Sequence, residues 1–253
     1  MKLKFINGKY LLDLGVENYV QEKDELTQEN KVLAIDLGIK NLCNGVDNLG
    51  NVVTIPNKAK KISTYFRKQI SKVQSKMDKC VKGSNKHEKL KKVKKKLYKR
   101  KDAQIKQTLH IQSKKLVNMN YKTIVVGDLS VKKLMEKGSN KLTKTSRSFS
   151  ESAIATFMEF LTYKCQARNT EVEAINEKWT TQQNCLTGKL FKEKVELSDR
   201  MVQLSDSIVI DRDLNAAINI LKRYEQNHIA LLTAPLDVSS VVNKYNLLAN
   251  TCS

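Results

Sequence analysis

Apolar residues fall along this chain in two registers. Val32-Leu33-Ala34-Ile35 runs without alternation and ends on Asp36; Thr123-Ile124-Val125-Val126-Gly127 does the same and ends on Asp128. A short, unbroken apolar run bounded by turn residues predicts a strand covered on both faces. Glu171 to Asn176 predicts a further short strand, which delivers Glu177. Leu42 to Val46 and Asn51 to Ile55 predict two more, joined by a turn at Asp47-Asn48-Leu49-Gly50. Nearer the N-terminus, Lys4 to Leu12 reads as two strands about an Asn7-Gly8 turn. Such a hairpin is marginal alone and has to lean on something else. Gln21 to Asn30 reads as a polar linker.

Between residues 58 and 118 the spacing becomes helical. Ile62, Phe66, Ile70, Val73 and Met77 make one apolar stripe. Lys82-Gly83-Ser84-Asn85 interrupts it, and Leu90, Val93, Leu97, Ile105 and Leu109 form a second stripe. The pattern predicts a long helical hairpin, apolar on one side and lysine-rich on the other. Ser150-Glu151 is expected to open another helix, with Ala153, Ile154, Phe157, Phe160 and Leu161 facing in and Asn169 closing it. Asp211-Arg212-Asp213 opens the last clear helix, Leu214 to about Tyr224, with Ala216, Ala217, Ile218 and Leu221 inside. Residues 137–149 read as a basic loop, 185–210 as an insertion of short β pieces, and 233–253 give no signal.

Charge sharpens this picture. The 253 residues carry a net charge of +20, with a pI near 9.7. Residues 58–118 hold 22 Lys and Arg against three acids, Asp78, Glu88 and Asp102. Like charges one turn apart disfavour a helix, so a polyanion is the expected compensation. The candidate phosphate contacts are Lys60, Lys61, Lys68, Lys72, Lys91, Lys92, Lys95, Lys96, Lys99 and Arg100. Aromatics are few here, Phe66 and Tyr98 among them, which favours a duplex backbone over stacking on single-stranded bases. The lack of Trp and Phe anchors argues against a membrane surface. No run of 18 apolar residues is present and the N-terminus lacks a signal-like apolar run. Five scattered cysteines make no disulfide framework. The expected setting is the cytoplasm.

The acids form a set. Asp36, Asp128, Glu177 and Asp213 each lie at the end of a predicted strand or the start of a helix, beside apolar chain. A carboxylate there is costly unless it has a partner, a cap or a metal. Taken singly, Asp211 and Asp213 read best as helix caps and Asp128 as a turn residue. Taken together, carboxylates from neighbouring strands and one helix start can meet at one point. Mg²⁺ takes one or two carboxylates plus phosphate oxygens and waters, and a pair of such ions can hold both oxygens of a phosphodiester displacement. Gly38, after Asp36, permits a sharp turn or the close approach of a phosphate.

The strand–Asp–Gly–hairpin opening at Ile35 to Asn41 resembles the start of RNase H-like nuclease domains, and sugar-kinase-like ATPases open similarly. Ile35-Asp36-Leu37-Gly38-Ile39-Lys40-Asn41, Val125-Val126-Gly127-Asp128-Leu129 and Asp211-Arg212-Asp213-Leu214-Asn215-Ala216-Ala217-Ile218-Asn219-Ile220 together resemble TnpB. TnpB is the RNA-guided nuclease of insertion sequences, related to type V CRISPR effectors. The resemblance spans about residues 30–224. It implies an α/β, RNase H-like (RuvC) mixed sheet with a long basic helical hairpin at 58–118 and a small β-rich insertion at 180–210. It implies an endonuclease that hydrolyses DNA phosphodiesters with Mg²⁺, guided by an RNA encoded at the transposon end, with Asp36 as first acid and Asp213 as third.

Three departures qualify that expectation. The middle acid is usually a glutamate directly before Asp-Leu, and here that position is Gly127. Asn176-Glu177-Lys178-Trp179-Thr180-Thr181 resembles an alternative placement on the adjacent strand, so Glu177 is expected to serve, with Asp128 and Asp211 as fallbacks. The family's four-cysteine zinc ribbon is reduced to Cys185, so no zinc is expected, and Cys185 reads as a small buried apolar residue. Only strand remnants of the N-terminal domain are expected, in residues 1–30, with a tail at 225–253. A separate N-terminal polypeptide or a homo-oligomer would complete the protein. The alternatives are a nuclease-dead binder of DNA and RNA, and an unguided junction nuclease.

Overall fold

The structure, a computed structural model, describes residues 1–6, 9–15, 31–128, 153–196, 198–228 and 237–242. The Asn7-Gly8 turn, the 21–30 linker, the 137–149 loop and the Ser150-Glu151 helix start lie outside the described residues.

Five strands form the central sheet: β3 (Val32–Leu37), β4 (Asn41–Asp47), β5 (Val52–Pro56), β6 (Thr123–Gly127) and β7 (Glu171–Ile175). Their spatial order is β5-β4-β3-β6-β7. β3, β6 and β7 run parallel, while β4 and β5 are antiparallel additions at one side. The sheet is therefore mixed, with its parallel half assembled from strands remote in sequence.

The unbroken apolar runs have a simple cause, because helices cover both faces. Alternate residues of a strand point to opposite faces. Val32 and Ala34 of β3, with Val125 of β6, pack under Leu214, Ala217, Ile218 and Leu221. These last belong to the final helix, α4 (Arg212–Asn227), which runs slightly past the expected end at Tyr224. Leu33, Ile35 and Leu37, with Ile124 and Val126, pack instead against Leu109, Leu116, Phe157 and Leu161. Those residues come from α2 (Asn85–Val117) and α3 (Ile154–Gln166). The same alternation puts Asp36 and Gly127 on the α4 face.

The helical hairpin is present. In α1 (Lys58–Asp78), Phe66, Ile70 and Met77 are buried and Ile62 and Val73 partly so. Gly83, at φ 81°, makes the break, and Ser84 caps α2 by accepting from the His87 N–H at 3.2 Å. The second stripe is weaker than expected. Val93 is 44% exposed, and Leu90, Leu97 and Ile105 are only half-buried. A single partner helix cannot cover more; full burial on α2 starts at Leu109, where it reaches the sheet.

The N-terminal strands β1 (Lys2–Ile6) and β2 (Lys9–Asp13) pair as an antiparallel hairpin, with Leu3, Phe5, Tyr10, Leu11 and Leu12 exposed. Among the described residues of 185–211, β8 (Met201–Ser205) pairs antiparallel with β9 (Ile208–Asp211). Residues 238–242, which gave no signal in the sequence, are helical and put Val238, Val241 and Val242 into the core under α4. No helix among the described residues is long and apolar enough to cross a membrane.

Candidate acidic site and basic arm

The parallel strands deliver their acids at one edge of the sheet. Asp36 is the penultimate residue of β3 and is buried. Its register partner on β4 is Asn44. Asn44 Nδ2 donates to Asp213 Oδ2 at 3.5 Å, and Asp213 lies buried in the first turn of α4. Asp36, Asn44 and Asp213 therefore lie together, although 169 positions separate Asn44 from Asp213. Gly38 adjoins them: a side chain there would meet Asn41 O at 3.0 Å and approach Asp213 Oδ2 to 3.7 Å. Its φ is not positive, so closeness rather than an unusual turn is what requires glycine.

Glu177 follows β7, which pairs Ile175 with Gly127. A Cβ placed on Gly127 would overlap the Glu177 carboxylate, lie 3.1 Å from Glu177 Cβ and lie 3.2 Å from Ile220 Cδ1. The half-buried Glu177 thus fills the space that a side chain at position 127 would occupy. Asp128 is exposed at the rim, its N–H donating to Ile175 O at 2.7 Å. Asp211 is the N-cap of α4, accepting from the Asp213 N–H at 2.8 Å. The cap reading therefore holds for Asp211, while Asp213 sits one step inside the helix with its carboxylate turned to the site.

The electrostatics follow from that crowding. Burial, then the charges of Asp213 and Glu177, hold the Asp36 carboxyl well above the ordinary carboxylate range; Arg212 opposes them. Burial, then Asp128, raises Glu177. Burial, then Asp213, raises Asp211, against backbone N–H donors and Lys40. Arg212 is paired to Asp213 Oδ1 at 3.3 Å and donates to Glu196 O at 2.9 Å. Carboxylates gathered with so little compensation are oxygen donors suited to a hard cation. Among the described residues, no three His, Cys, Asp or Glu side chains are drawn in as a ready metal shell. The set is an open arrangement of acids, not a closed cage.

Two residues of α4 that sequence reasoning passed over fix this geometry. Asn219 Nδ2 donates to Thr180 O at 2.9 Å and Gln183 O at 2.6 Å. Asn215 Nδ2 reaches Gln183 O at 2.8 Å, and its Oδ1 accepts from the Cys185 N–H at 3.0 Å. Both asparagines are buried. They clamp the segment after Glu177 onto the helix that carries Asp213. Their spacing of four, on one face of a helix, was the available signal. Cys185 is fully buried, and burial pushes its thiol up to about 11.

On the arm, Lys61, Lys68, Lys72, Lys91, Lys92, Lys95, Lys96, Lys99 and Arg100 are exposed and Lys60 is half-buried. Tyr65 and Tyr98 are also exposed, at 59% and 42%. Tyr65 had no part in the reading above, so the arm offers more aromatic surface than that reading allowed.

These features define an α/β protein with a mixed sheet, a cluster of acids at the ends of its parallel strands and a lysine-rich helical arm. Residues 14–138 match the family described as "Probable transposase" (OrfB_IS605), and residues 155–220 match "Cas12f1-like, TNB domain". Over these stretches the chain is similar to TnpB-type proteins. It is 27% identical over 214 residues to a "Putative RNA-guided DNA endonuclease" of Streptomyces pristinaespiralis, covering 85% of this chain and 50% of the relative. This chain thus spans about half the length of that protein. The fold matches a Cas12f1-sgRNA-target DNA complex at TM-score 0.53 and 14% identity, over 78% of this chain and 51% of the other. A CRISPR-Cas12f ternary complex matches at TM-score 0.52 and 15% identity, over 80% and 40%.

Proposed function

We propose that this chain is an RNA-guided DNA endonuclease whose Mg²⁺-dependent site is built from Asp36, Glu177 and Asp213 on an RNase H-like, RuvC-type core. The observation that carries this is Glu177 filling the room left by Gly127, beside the buried Asp36. A side chain that reaches back across the sheet to replace a missing neighbour supports a working site rather than a relic.

The division of labour follows from the geometry. Asp36, Glu177 and Asp213 would hold the ions as oxygen donors, with Asp128 and Asp211 at the rim. Bound Mg²⁺ supplies the positive charge that steadies the attacking and leaving oxygens of a phosphodiester. Asn44 and Arg212 orient the Asp213 carboxylate, and the asparagine clamp holds Glu177 in place. The arm's lysines, above all Lys91 to Arg100, hold phosphates of guide and target. In this reading residues 31–224 are the nuclease domain, 180–210 a zinc-free ribbon remnant, and 1–30 and 225–253 flanking pieces.

The open spacing of the acids favours a second reading, a binder of DNA and RNA that does not cut. One experiment decides between them. The purified chain, loaded with transposon-end RNA, is given target DNA with Mg²⁺ or with EDTA. Cleavage that needs Mg²⁺ and RNA and vanishes in Asp36→Ala and Asp213→Ala, with DNA binding kept, is expected. Binding without cleavage selects the binder, and cleavage that survives RNase treatment selects an unguided nuclease.

A further inference from the structure

A groove lies beside Glu177 with none of the five candidate acids in its lining. Its larger cavity, about 540 Å³, is walled by Glu173, Asn176, Lys178, Trp179, Arg223 and Gln226. A smaller one, about 260 Å³, shares Arg223 and Gln226 with it and reaches Thr187 and Gly188. With Arg223 and Gln226 of α4 as their common wall, the two are read as one trough, and Asn176 and Lys178, the residues flanking Glu177 in the chain, line its larger end.

Trp179 stands at the head of that trough. It is the chain's one tryptophan, 55% exposed, on a backbone at φ 72°. A bulky residue in the left-handed region is uncommon, and an indole left in water gains nothing from folding. Neighbours hold the turn rigidly. Thr180 N donates to Glu177 O at 3.1 Å and Gln182 N to Trp179 O at 2.9 Å, while Thr180 O is held by Asn219. Lys178 Nζ sits 5.7 Å from the indole centre. Arg223 lies across the trough, donating to Asn176 O at 2.6 Å and Gln183 Oε1 at 3.4 Å. The acid on the wall, Glu173, faces His228 at 3.6 Å. A rigid, exposed aromatic face flanked by cations is how proteins hold an unpaired base and its phosphates. Inside a duplex the base faces are stacked on one another and only the two ends leave a face open.

We propose that Trp179 is a stacking platform for one base of a single-stranded nucleic acid, whose backbone follows the α4 trough past Lys178 and Arg223. The strand is thereby led to Glu177, which rests on the reading of Glu177 as part of the acidic site.

The single tryptophan makes the test direct. The full chain in EDTA is titrated with a fluorescein-labelled single-stranded oligothymidine, followed by anisotropy, and with its unlabelled copy, followed by tryptophan emission. Saturable quenching with the same midpoint as the anisotropy is expected. A long duplex, whose ends are few beside its interior pairs, should raise anisotropy through the arm and leave the emission nearly unchanged. Trp179→Ala should weaken single-strand binding about tenfold to a hundredfold, with duplex binding unaltered, and Trp179→Phe should keep most of the affinity. Single-strand binding with unmoved emission, wild-type affinity in Trp179→Ala, or no single-strand binding at all overturns the platform. Cleavage is scored separately. Quenching in a chain that never cuts sinks the nuclease reading alone; cleavage without quenching sinks the platform alone.

Discussion

Replacing Gly127 by alanine adds one methyl where Glu177 now lies. That carbon would sit 3.1 Å from Glu177 Cβ and 3.2 Å from Ile220 Cδ1, and would overlap the Glu177 carboxylate. Ile220 is fully buried on α4 and has nowhere to go. The carboxylate is the mobile end of its side chain and swings out, but the Cβ contact remains. Overpacking of this kind costs about 1–3 kcal/mol, to be read from urea denaturation. On the proposed reading of Glu177 as a metal ligand, displacing its carboxylate loses several kcal/mol of charge stabilisation. At about 1.4 kcal/mol per decade, cleavage should fall by roughly 10²- to 10³-fold. The converse pair is more telling. Glu177→Ala empties the site, and Gly127→Glu added to it returns a carboxylate to the vacated room from the neighbouring strand. The double variant should recover part of the cleavage that either single change abolishes, a coupling that only residues sharing one space can show. A Gly127→Ala protein as stable and active as the parent would sink this reasoning. So would a double variant no better than Glu177→Ala in fully folded protein.

Other outcomes follow from the same site and arm. Because the folded state holds the Asp36 proton more tightly than the unfolded chain does, stability falls as pH rises from the ordinary carboxylate range through the raised Asp36 value. Asp36→Asn should therefore melt above wild type at neutral pH in EDTA, with the advantage gone by about pH 4; equal melting curves across that range would contradict it. Mg²⁺ at about a hundred times its Kd should stabilise wild type by roughly 2.7 kcal/mol and Asp36→Asn by clearly less, read by calorimetry. Changing Lys91, Lys92, Lys95 and Lys96 to Gln should flatten the dependence of duplex affinity on log salt by up to about 0.9 per lost phosphate contact, measured by anisotropy at several salt concentrations. Asn219→Ala leaves one buried and one half-buried carbonyl with one donor fewer each and should cost about 1–3 kcal/mol, with faster proteolysis within 180–196.

The sheet was legible because its strands are buried on both faces and read as unbroken apolar runs. Asp36 and Asp213 were legible because each ends or begins such an element. Other parts had no one-dimensional signature. The exposure of Val93 depends on how much surface a lone partner helix can cover. The insertion of Val238, Val241 and Val242 under α4 depends on a gap that exists only once the sheet is built. The exchange between Gly127 and Glu177 depends on β6 and β7 lying side by side, although 50 positions of sequence separate the two residues. The roles of Asn215 and Asn219 lie in carbonyls that appear only when residues 180–183 fold back over the helix.

The long helix α2 has mechanical consequences. Its 33 residues extend about 50 Å, and its deep anchorage is confined to the stretch from Leu109 to Val117. Among the described residues, the stretch before Ile105 is braced by α1 and overhangs as a cantilever. A tilt of a few degrees at the root becomes a displacement of several ångströms at the tip, near Gly83. Amide exchange should therefore quicken steadily from root to tip, and nucleic acid gripping the tip should slow it there first.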